Sequence, residues 1–267
     1  MFAPLHADHS ISELIFFFEF QKPLQPASLD ALIANHGEVA ADLPGREDMN
    51  GIQFEQGPDG FHQSTIQGEE WKRYKPDGSV DWVARIGADA VSLHALQYEG
   101  WSGTWGKARK LLQGILRGVS FKENLPRSVG LRYLDRFIYK PTNKNYDLSV
   151  LFQPGSPYIP ANIIKVADNK WHTTSGWVSL MPGRGNNVLQ QLNIDAITQA
   201  NGVPSVSILH SIVVRLDEGN DPSVMEPNST TGAYSDFISD AKNCNHALLQ
   251  ELLTAPILQR IGLGKNT

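Results

Sequence analysis

The feature that most constrains the fold of this chain is a stretch near its middle, residues 128–139, that is rich in β-branched and aromatic residues. Pro126 and Pro141 bracket the stretch, and proline cannot donate a hydrogen bond within a sheet. These two observations predict a β-strand. Because successive side chains of a strand point to opposite faces, we expect Arg132 and Arg136 to share one face of it.

The overall composition is that of a folded globular protein. The chain has 267 residues, of which 41% are hydrophobic, and this is enough for one large core or two small ones. The formal net charge of −5 gives no general attraction to nucleic acid or to acidic membranes. The single cysteine, Cys244, cannot form an internal disulfide, and the sequence has neither a signal-peptide pattern nor an apolar run long enough to span a bilayer. We therefore expect a soluble, cytoplasmic protein without membrane association.

The first half of the chain predicts a strand, a short helix, a group of antiparallel strands and a long helix. The polar segment 38–50 contains Pro44-Gly45 and is interpreted as a loop, and Ser28 is the expected N-cap of the short helix. In chain order, the predicted elements are a strand at 13–20, a helix at 28–34, strands at 61–67, 70–74, 80–86 and 91–98, and a helix at 102–119.

The second half predicts the same kinds of element after the central strand. Segments 182–185 and 201–204 are interpreted as turns between strands, and a polar stretch follows at 218–232. The terminal helix is expected to bury a stripe that includes Cys244, and Thr254 is expected to cap a short last helix. The predicted elements are a strand or short helix at 147–152, strands at 171–181, 188–197 and 206–217, and a helix at 234–253.

The order of these elements predicts an α+β fold made of antiparallel strands covered by long helices. Each half contains a strand, an irregular or helical link, several antiparallel strands and a long helix. We therefore expect two loosely repeated α+β units, residues 1–125 and 126–267, with one compact domain as the alternative.

Two motifs lie in the central strand and at the end of the chain. They are Gly130-Leu-Arg-Tyr-Leu-Asp-Arg136 and Asn245-His-Ala-Leu-Leu-Gln-Glu-Leu-Leu-Thr254, the latter continuing into Leu-Gln-Arg-Ile-Gly at 258–262. Together they resemble a sporadically distributed, uncharacterised family of prokaryotic proteins, and the resemblance spans nearly the whole chain. It implies no established activity, although the patchy distribution implies a link to mobile-element or defence genes. The family pattern favours asparagine where this chain has Asp135, and acidic residues at Ala255 and Pro256.

Motifs of enzyme active sites are absent from the sequence. We find no phosphate-binding loop, dinucleotide-binding glycine pattern, Gly-x-Ser-x-Gly turn, His-Glu-x-x-His or cysteine cluster. Cys244 and His246 are two residues apart on a helix and do not face each other. A metal site formed by His62, His94 and His210 is an alternative that no spacing requires, so the sequence predicts no metal and no cofactor.

Positive charge is concentrated in one region of this acidic chain, residues 101–140. An anion-binding surface is one interpretation of this region, with Lys107, Lys110, Arg117, Arg132 and Arg136 as the candidate residues. The alternative is a solvated helix face together with arginines paired to carboxylates inside the fold. The positive residues are Lys107, Arg109, Lys110, Arg117, Lys122, Arg127, Arg132, Arg136 and Lys140, against Glu123 and Asp135, and the candidate carboxylates are Glu13, Glu19 and Asp135.

Three functions are compatible with these features. The preferred hypothesis is a non-catalytic binding or interaction protein with a protein partner, because a well-patterned fold is present without a catalytic motif. The second is binding of nucleic acid or nucleotide phosphate through residues 107–140, which predicts salt-dependent affinity that weakens on Arg132→Ala and Lys110→Ala. The third is an enzyme without a recognisable motif. The sequence leaves the oligomeric state open.

Overall fold

The computed structural model describes residues 1–57, 60–140, 146–164, 170–181, 187–198, 202–216 and 222–264, with the side chains of 50–67 excepted. The strands are Phe2–Pro4 (β1), Ile11–Phe20 (β2), Gly45–Gly57 (β3), Gly60–Tyr74 (β4), Val80–Gly87 (β5), Ala90–Ala95 (β6), Pro126–Tyr139 (β7), Trp171–Leu180 (β8), Asn187–Thr198 (β9) and Pro204–Arg215 (β10). The α-helices are Pro26–Ala34 (α1), His36–Val39 (α2), Trp101–Ile115 (α3), Ala161–Ile164 (α4), Ala233–Leu252 (α5) and Ala255–Arg260 (α6), and short 3-10 helices occupy Leu148–Val150 and Pro222–Met225.

The predicted α+β class with antiparallel strands is confirmed. Among the described residues, ten strands form a sheet in the hydrogen-bonded order β3-β4-β5-β6-β2-β7-β10-β9-β8, and β1 also pairs with β7. The pairs β3–β4, β4–β5, β5–β6 and β8–β9 are antiparallel hairpin neighbours, as expected for strands joined by short turns.

The chain divides into two compact units. The 15–130 unit consists of Ile15–Gly130 and Val214–Phe237, and the 131–213 unit consists of Met1–Leu14, Leu131–Val213 and Ile238–Thr267. Strands β2 and β7 each contribute residues to both units. The predicted boundary between residues 125 and 126 stays a prediction.

The central strand of the sequence analysis is confirmed as β7. Its burial alternates as a strand with one core-facing side requires: Tyr133, Asp135 and Phe137 are buried, whereas Arg132 and Arg136 are only partly buried. The two arginines therefore share one face of β7, as predicted, and this face lies opposite the one that carries the carboxylate of Asp135.

The core of the 15–130 unit contains a cluster of aromatic rings. Phe16 and Phe18 of β2 meet Trp105 of α3, Phe121 and Tyr234, with ring centroids between 5.1 and 5.8 Å apart. Rings at these separations gain attraction beyond the burial of their area. The cluster joins α3 to β2 through Trp105 and Phe16, and truncation of a buried ring such as Phe16 costs about 3–5 kcal/mol.

Helix α3 is shorter than the sequence predicts. It ends at Ile115 rather than near Val119, because Gly118 has a φ of 75°, which a right-handed helix cannot contain. Gly114, which weakens the helix, has a packing role: a Cβ at this position would lie 2.7 Å from Cγ1 of Val39 in α2. The glycine thus permits the close approach of α2 and α3.

The core of the 131–213 unit lies between its strands and helices α5 and α6. Its apolar side chains come from β1, β7, β9, β10, α5, α6 and the residues around the Leu148–Val150 helix. Its buried side chains include Phe2, Phe137, Leu148, Leu151, Phe152, Leu192, Ile194, Val206, Ile208, Leu248, Leu252 and Ile257.

Two predictions of local structure are wrong. Helix α1 begins at Pro26 with Gln25 as N-cap, because proline fits the first helical position and outcompetes Ser28 as the start signal. Segment 38–50 is not a loop, since it holds the end of α2 and the beginning of β3. The predicted turns at 182–185 and 201–204 lie largely outside the described residues.

Candidate functional site

Three of the predicted anion-binding residues are engaged by carboxylates of the 15–130 unit. Lys110 Nζ lies 3.1 Å from Oδ2 of Asp42, and Arg117 donates to Oε2 of Glu38 at 2.6 Å. Lys107 Nζ is 3.9 Å from Oδ1 of the same aspartate. The ion pairs join α3 and Arg117, two residues beyond its end, to Glu38 of α2 and to Asp42. They support the alternative interpretation of these positive charges as part of the fold.

Lys107 is the most buried of these three cations. Its Nζ has no solvent access and no hydrogen-bond acceptor among the described residues, and it lies 5.2 Å from the ring centroid of Trp82. Burial lowers the pKa of Lys107, and the positive charge of Arg73 lowers it further. The ammonium is therefore held by a cation–π contact and the nearby carboxylate of Asp42 rather than presented to solvent.

The other two predicted residues, Arg132 and Arg136, lie on β7 in the 131–213 unit. Arg132 Nε donates to Oγ of Ser211 at 3.3 Å. Arg136 Nε is buried without an acceptor among the described residues. The five candidates are thus divided between the two units, and neither unit brings all of them together.

On the opposite face of β7, Asp135 is fully buried with a single hydrogen-bond donor. Ser10 Oγ donates to its Oδ1 at 2.6 Å, whereas Oδ2 has no partner among the described residues. Burial raises the pKa of Asp135 to about 6, and the hydrogen bond from Ser10 only partly opposes this rise. The carboxyl group therefore lies in a place that favours an uncharged side chain.

A chain of buried polar side chains connects α5 to three strands of the same unit. His210 Nδ1 is 2.9 Å from Oδ1 of Asn245, and its Nε2 is 3.1 Å from the Gln190 amide, which is 2.7 Å from Oγ of Ser179. Burial lowers the pKa of His210 to about 4, so the ring is neutral at pH 7. A neutral imidazole donates from one nitrogen only.

Two arrangements satisfy this limit, because amide nitrogen and oxygen are assigned from hydrogen bonding rather than observed. In the first, His210 Nε2–H donates to Gln190 Oε1, the Gln190 NH₂ group donates to Oγ of Ser179, and the Asn245 amide is turned to present its NH₂ group to Nδ1. In the second, Nδ1–H donates to Asn245 Oδ1 and the Gln190 amide is turned instead.

Asn245, the first residue of the terminal motif, takes the buried position that the sequence assigns to Cys244. Asn245 is 1% exposed, whereas Cys244 is only partly buried. Apolar periodicity favours the cysteine, so this prediction is wrong. The signal that could have identified Asn245 is its place in the motif, since a polar residue within an apolar helix face needs a hydrogen-bond partner elsewhere in the fold.

A second hydrogen-bonded chain lies on the exposed face of the β8–β9 hairpin. Asp195 Oδ1 is 2.6 Å from His172 Nδ1, and His172 Nε2 is 2.7 Å from Oγ1 of Thr174. A carboxylate, an imidazole and a hydroxyl in this order also occur in nucleophilic active sites. Here the side chains of His172 and Asp195 are 60% and 43% exposed, so water surrounds much of this chain.

A surface depression of about 1040 Å³ lies at the junction of α5 and α6. Among the described residues that line it, none has an ionisable side chain, and the lining combines amide groups with leucines. The lining residues are Gln153, Pro154, Gln250, Leu253, Thr254, Ala255, Leu258, Gln259, Gly262, Leu263 and Gly264.

The geometry of the depression depends on contacts between α6 and the segment around residue 150. Thr254 Oγ1 donates to the carbonyl of Val150 at 2.8 Å, and the backbone N–H of Thr254 donates to the carbonyl of Leu151 at 3.0 Å. Thr254 is the N-cap residue of α6, as predicted, but its hydroxyl does not cap the helix. Gly262 ends α6 with a φ of 73°. The terminal motif thus forms most of this surface.

Among the described residues there is no group of three or more His, Cys, Asp or Glu side chains that could hold a metal ion. No helix in the same residues is long and apolar enough to cross a membrane. His94 and His210 belong to different units, and the side chain of His62 lies outside the described part of the chain.

The fold and these surfaces define an α+β protein with a surface depression lined by amide and leucine side chains. Comparison with known proteins adds little to this description. No protein-family model and no curated protein matches the chain. A solved structure that matches is the crystal structure of the di-domain ARO/CYC StfQ from the steffimycin biosynthetic pathway, which is 10% identical over 93% of this chain and 99% of that one, with a TM-score of 0.21. This similarity is too low to bear on fold or function. The family resemblance stays a prediction.

Proposed function

We propose that this protein is a non-catalytic binding protein whose α5–α6 depression receives a segment of another protein. The observation that carries the proposal is the lining of the depression, whose residues in the described part of the chain have amide and leucine side chains but no ionisable group. Acid–base and nucleophilic catalysis both need ionisable or activated side chains near the substrate. A peptide, by contrast, is recognised through backbone hydrogen bonds and apolar contacts, which this lining supplies.

Filling the depression is expected to weaken partner binding. Ala255 is exposed and lies within the lining, so Ala255→Trp occupies space without removing a core contact. We expect the affinity for the partner to fall at least about tenfold, because a blocked central pocket removes the contacts that dominate an interface. A photo-crosslinking amino acid in place of Gln259 would first identify the partner in cells, and the affinity of the purified pair would then be measured.

The matched control is Ala161→Trp at the exposed start of α4, which should leave the affinity unchanged. A crosslinker in place of Asn162 serves the same purpose in cells. Turnover of a substrate in an activity screen, with no protein captured at position 259, would contradict the proposal.

Arg136 favours a second candidate function, the binding of phosphate-containing polyanions. Its side chain is only partly buried on β7, and a guanidinium can donate two hydrogen bonds to one phosphate. Lys110 and Arg117 are less suited to this function, because Asp42 and Glu38 already pair with them. Of the predicted anion-binding residues, Arg132 and Arg136 of β7 are therefore the ones best suited to bind a polyanion.

The Arg136→Gln variant tests the second candidate. Binding of a fluorescein-labelled single-stranded oligonucleotide at low salt should weaken about three- to tenfold, and the slope of affinity against salt should fall by about one charge. Lys110→Gln is the matched control, because it removes a charge that Asp42 already neutralises. Equal losses of oligonucleotide affinity in both variants, or no loss in either, would rule out polyanion binding by Arg136.

We also infer that the chain consists of two related α+β units. Strand β2 is followed by helices α1 and α2, antiparallel strands and the long helix α3, and β7 is followed by short helices, antiparallel strands and the long helix α5. This shared order supports a repeat divided near residue 125. The link to mobile-element or defence genes rests on the family resemblance alone.

A further inference from the structure

Strand β8 is the last strand in its part of the sheet. It pairs with β9 through an uninterrupted antiparallel register from Trp171↔Ala196 to Leu180↔Asn187, and no other described residue pairs with it. The N–H and C=O groups of alternate residues in such a strand point away from the paired neighbour. Along its ten residues, β8 therefore presents a row of backbone N–H and C=O groups with which another strand can pair.

Edge strands usually carry charges or prolines that prevent pairing, and β8 carries neither. It contains no Lys, Arg, Asp, Glu or Pro. Val178 and Leu180, 65% and 68% exposed, lie on its outer face. In the described part of β3, the last strand in the sheet order of the other unit, Arg46, Glu47 and Asp48 supply the charges that β8 lacks.

Gly176, in the middle of β8, is not required by the packing of its own chain. A Cβ built at this position would meet only the Gln190 carbonyl oxygen at 3.6 Å and Gln191 Cγ at 3.8 Å, which are ordinary contact distances. The register with β9 shows no bulge here. A glycine inside a regular strand weakens it and often marks a place where another backbone approaches closely.

We propose that β8 pairs antiparallel with β8 of a second copy of this chain, about a two-fold axis at Gly176. In this register Trp177 faces Ser175 of the second copy and Val178 faces Thr174, so large side chains meet small ones on both faces. The two glycines face each other on the axis. The same uncharged surface serves both copies, as a two-fold interface requires.

The occupant is a second copy rather than a foreign peptide because β8 is complementary to itself. Apart from the imidazole of His172, which is hydrogen-bonded to Asp195, β8 has no ionisable side chain that would select a basic or acidic partner or repel its own image. The inference is independent of the proposed function, which uses the α5–α6 depression.

Sedimentation velocity of the full chain provides the first test. Because one strand pair makes a small interface, we expect a shift from monomer to dimer between about 1 and 300 μM. Gly176→Lys places like charges face to face on the axis and should raise the dimer dissociation constant more than about tenfold. Gln191→Lys, which puts the same charge on the opposite residue of β9, should not change it.

A cysteine crosslink tests the register even if Gly176→Lys fails to fold. In a Cys244→Ser background, Gly176→Cys should form an intermolecular disulfide, since facing residues of antiparallel strands lie about 4.5–5.5 Å apart between Cα atoms. Val178→Cys should not, because its image lies four residues away, about 13 Å along the strand. A monomer at every concentration, or a dimer without the position 176 crosslink, overturns the proposal and leaves β8 to a segment of another protein.

Discussion

Replacing Asp135 with asparagine is expected to raise the free energy of unfolding at pH 8 by about 3 kcal/mol and to change it little at pH 4. The buried carboxyl has a pKa of about 6 in the folded protein, against 3.8 as its ordinary value. That difference corresponds to about 3 kcal/mol of cost for burying the ionised form. Asparagine keeps an acceptor for Ser10 Oγ but never ionises.

The sign of the pH dependence follows from proton binding. Between about pH 4 and pH 6 the folded state holds a proton on Asp135 that the unfolded state has released, so the contribution of this group to stability falls as the pH rises through that window. Above about pH 6 the destabilisation that Asp135 causes is complete and no longer changes with pH.

Urea unfolding of the variant and of the wild type from pH 4 to pH 8 measures this difference. Asp8→Asn in the same unit is the matched control, because its side chain is 87% exposed and its replacement should shift stability by no more than a few tenths of a kcal/mol. If the free energies of unfolding of Asp135→Asn and the wild type differ by the same amount at every pH, the raised pKa of Asp135 in the folded protein is contradicted.

The sequence predicts those elements whose signal is local. Strand β7 is bounded by proline and combines aromatic with β-branched residues, and α5 repeats apolar residues at helical spacing, so both appear near their predicted positions. Strand β3 is missed because its first residues are charged and polar, which resembles a loop. Charges of this kind are typical of an edge strand, and only the sheet order reveals that β3 is one.

The candidate surfaces depend on contacts between residues far apart in sequence, which local patterns do not contain. The positive charges of α3 are visible in the sequence, but Asp42 and Glu38 lie about seventy residues upstream of the side chains they neutralise. The depression forms because Leu253 pairs with Phe152, roughly a hundred residues earlier. Asn245 is buried only because His210 lies opposite it. Sequence patterns thus locate the motifs but not their partners.

His210 is expected to cause the second large change of stability with pH, and this change has the opposite direction to the one that Asp135 causes. Its folded pKa is about 4, against an ordinary 6.5, so the unfolded state binds a proton below pH 6.5 that the folded state does not. The contribution of His210 to stability is therefore lost as the pH falls from 6.5 to 4, by about 3 kcal/mol. Within pH 4–6 the two buried groups offset each other in the wild type.

Three variants separate these opposing contributions. The double variant keeps only the pH dependence of groups that all variants share, among them His246 and Glu69, whose pKa values are also lowered. Relative to the double variant, Asp135→Asn should lose stability on acidification from pH 6.5 to 4, because it retains His210. Relative to the same reference, His210→Asn, whose amide can still form a hydrogen bond with Asn245, should gain stability over that interval, because it retains Asp135. Parallel curves for the two single variants would show that neither group keeps its perturbed pKa in the folded protein, and urea unfolding at half-unit pH intervals distinguishes these outcomes.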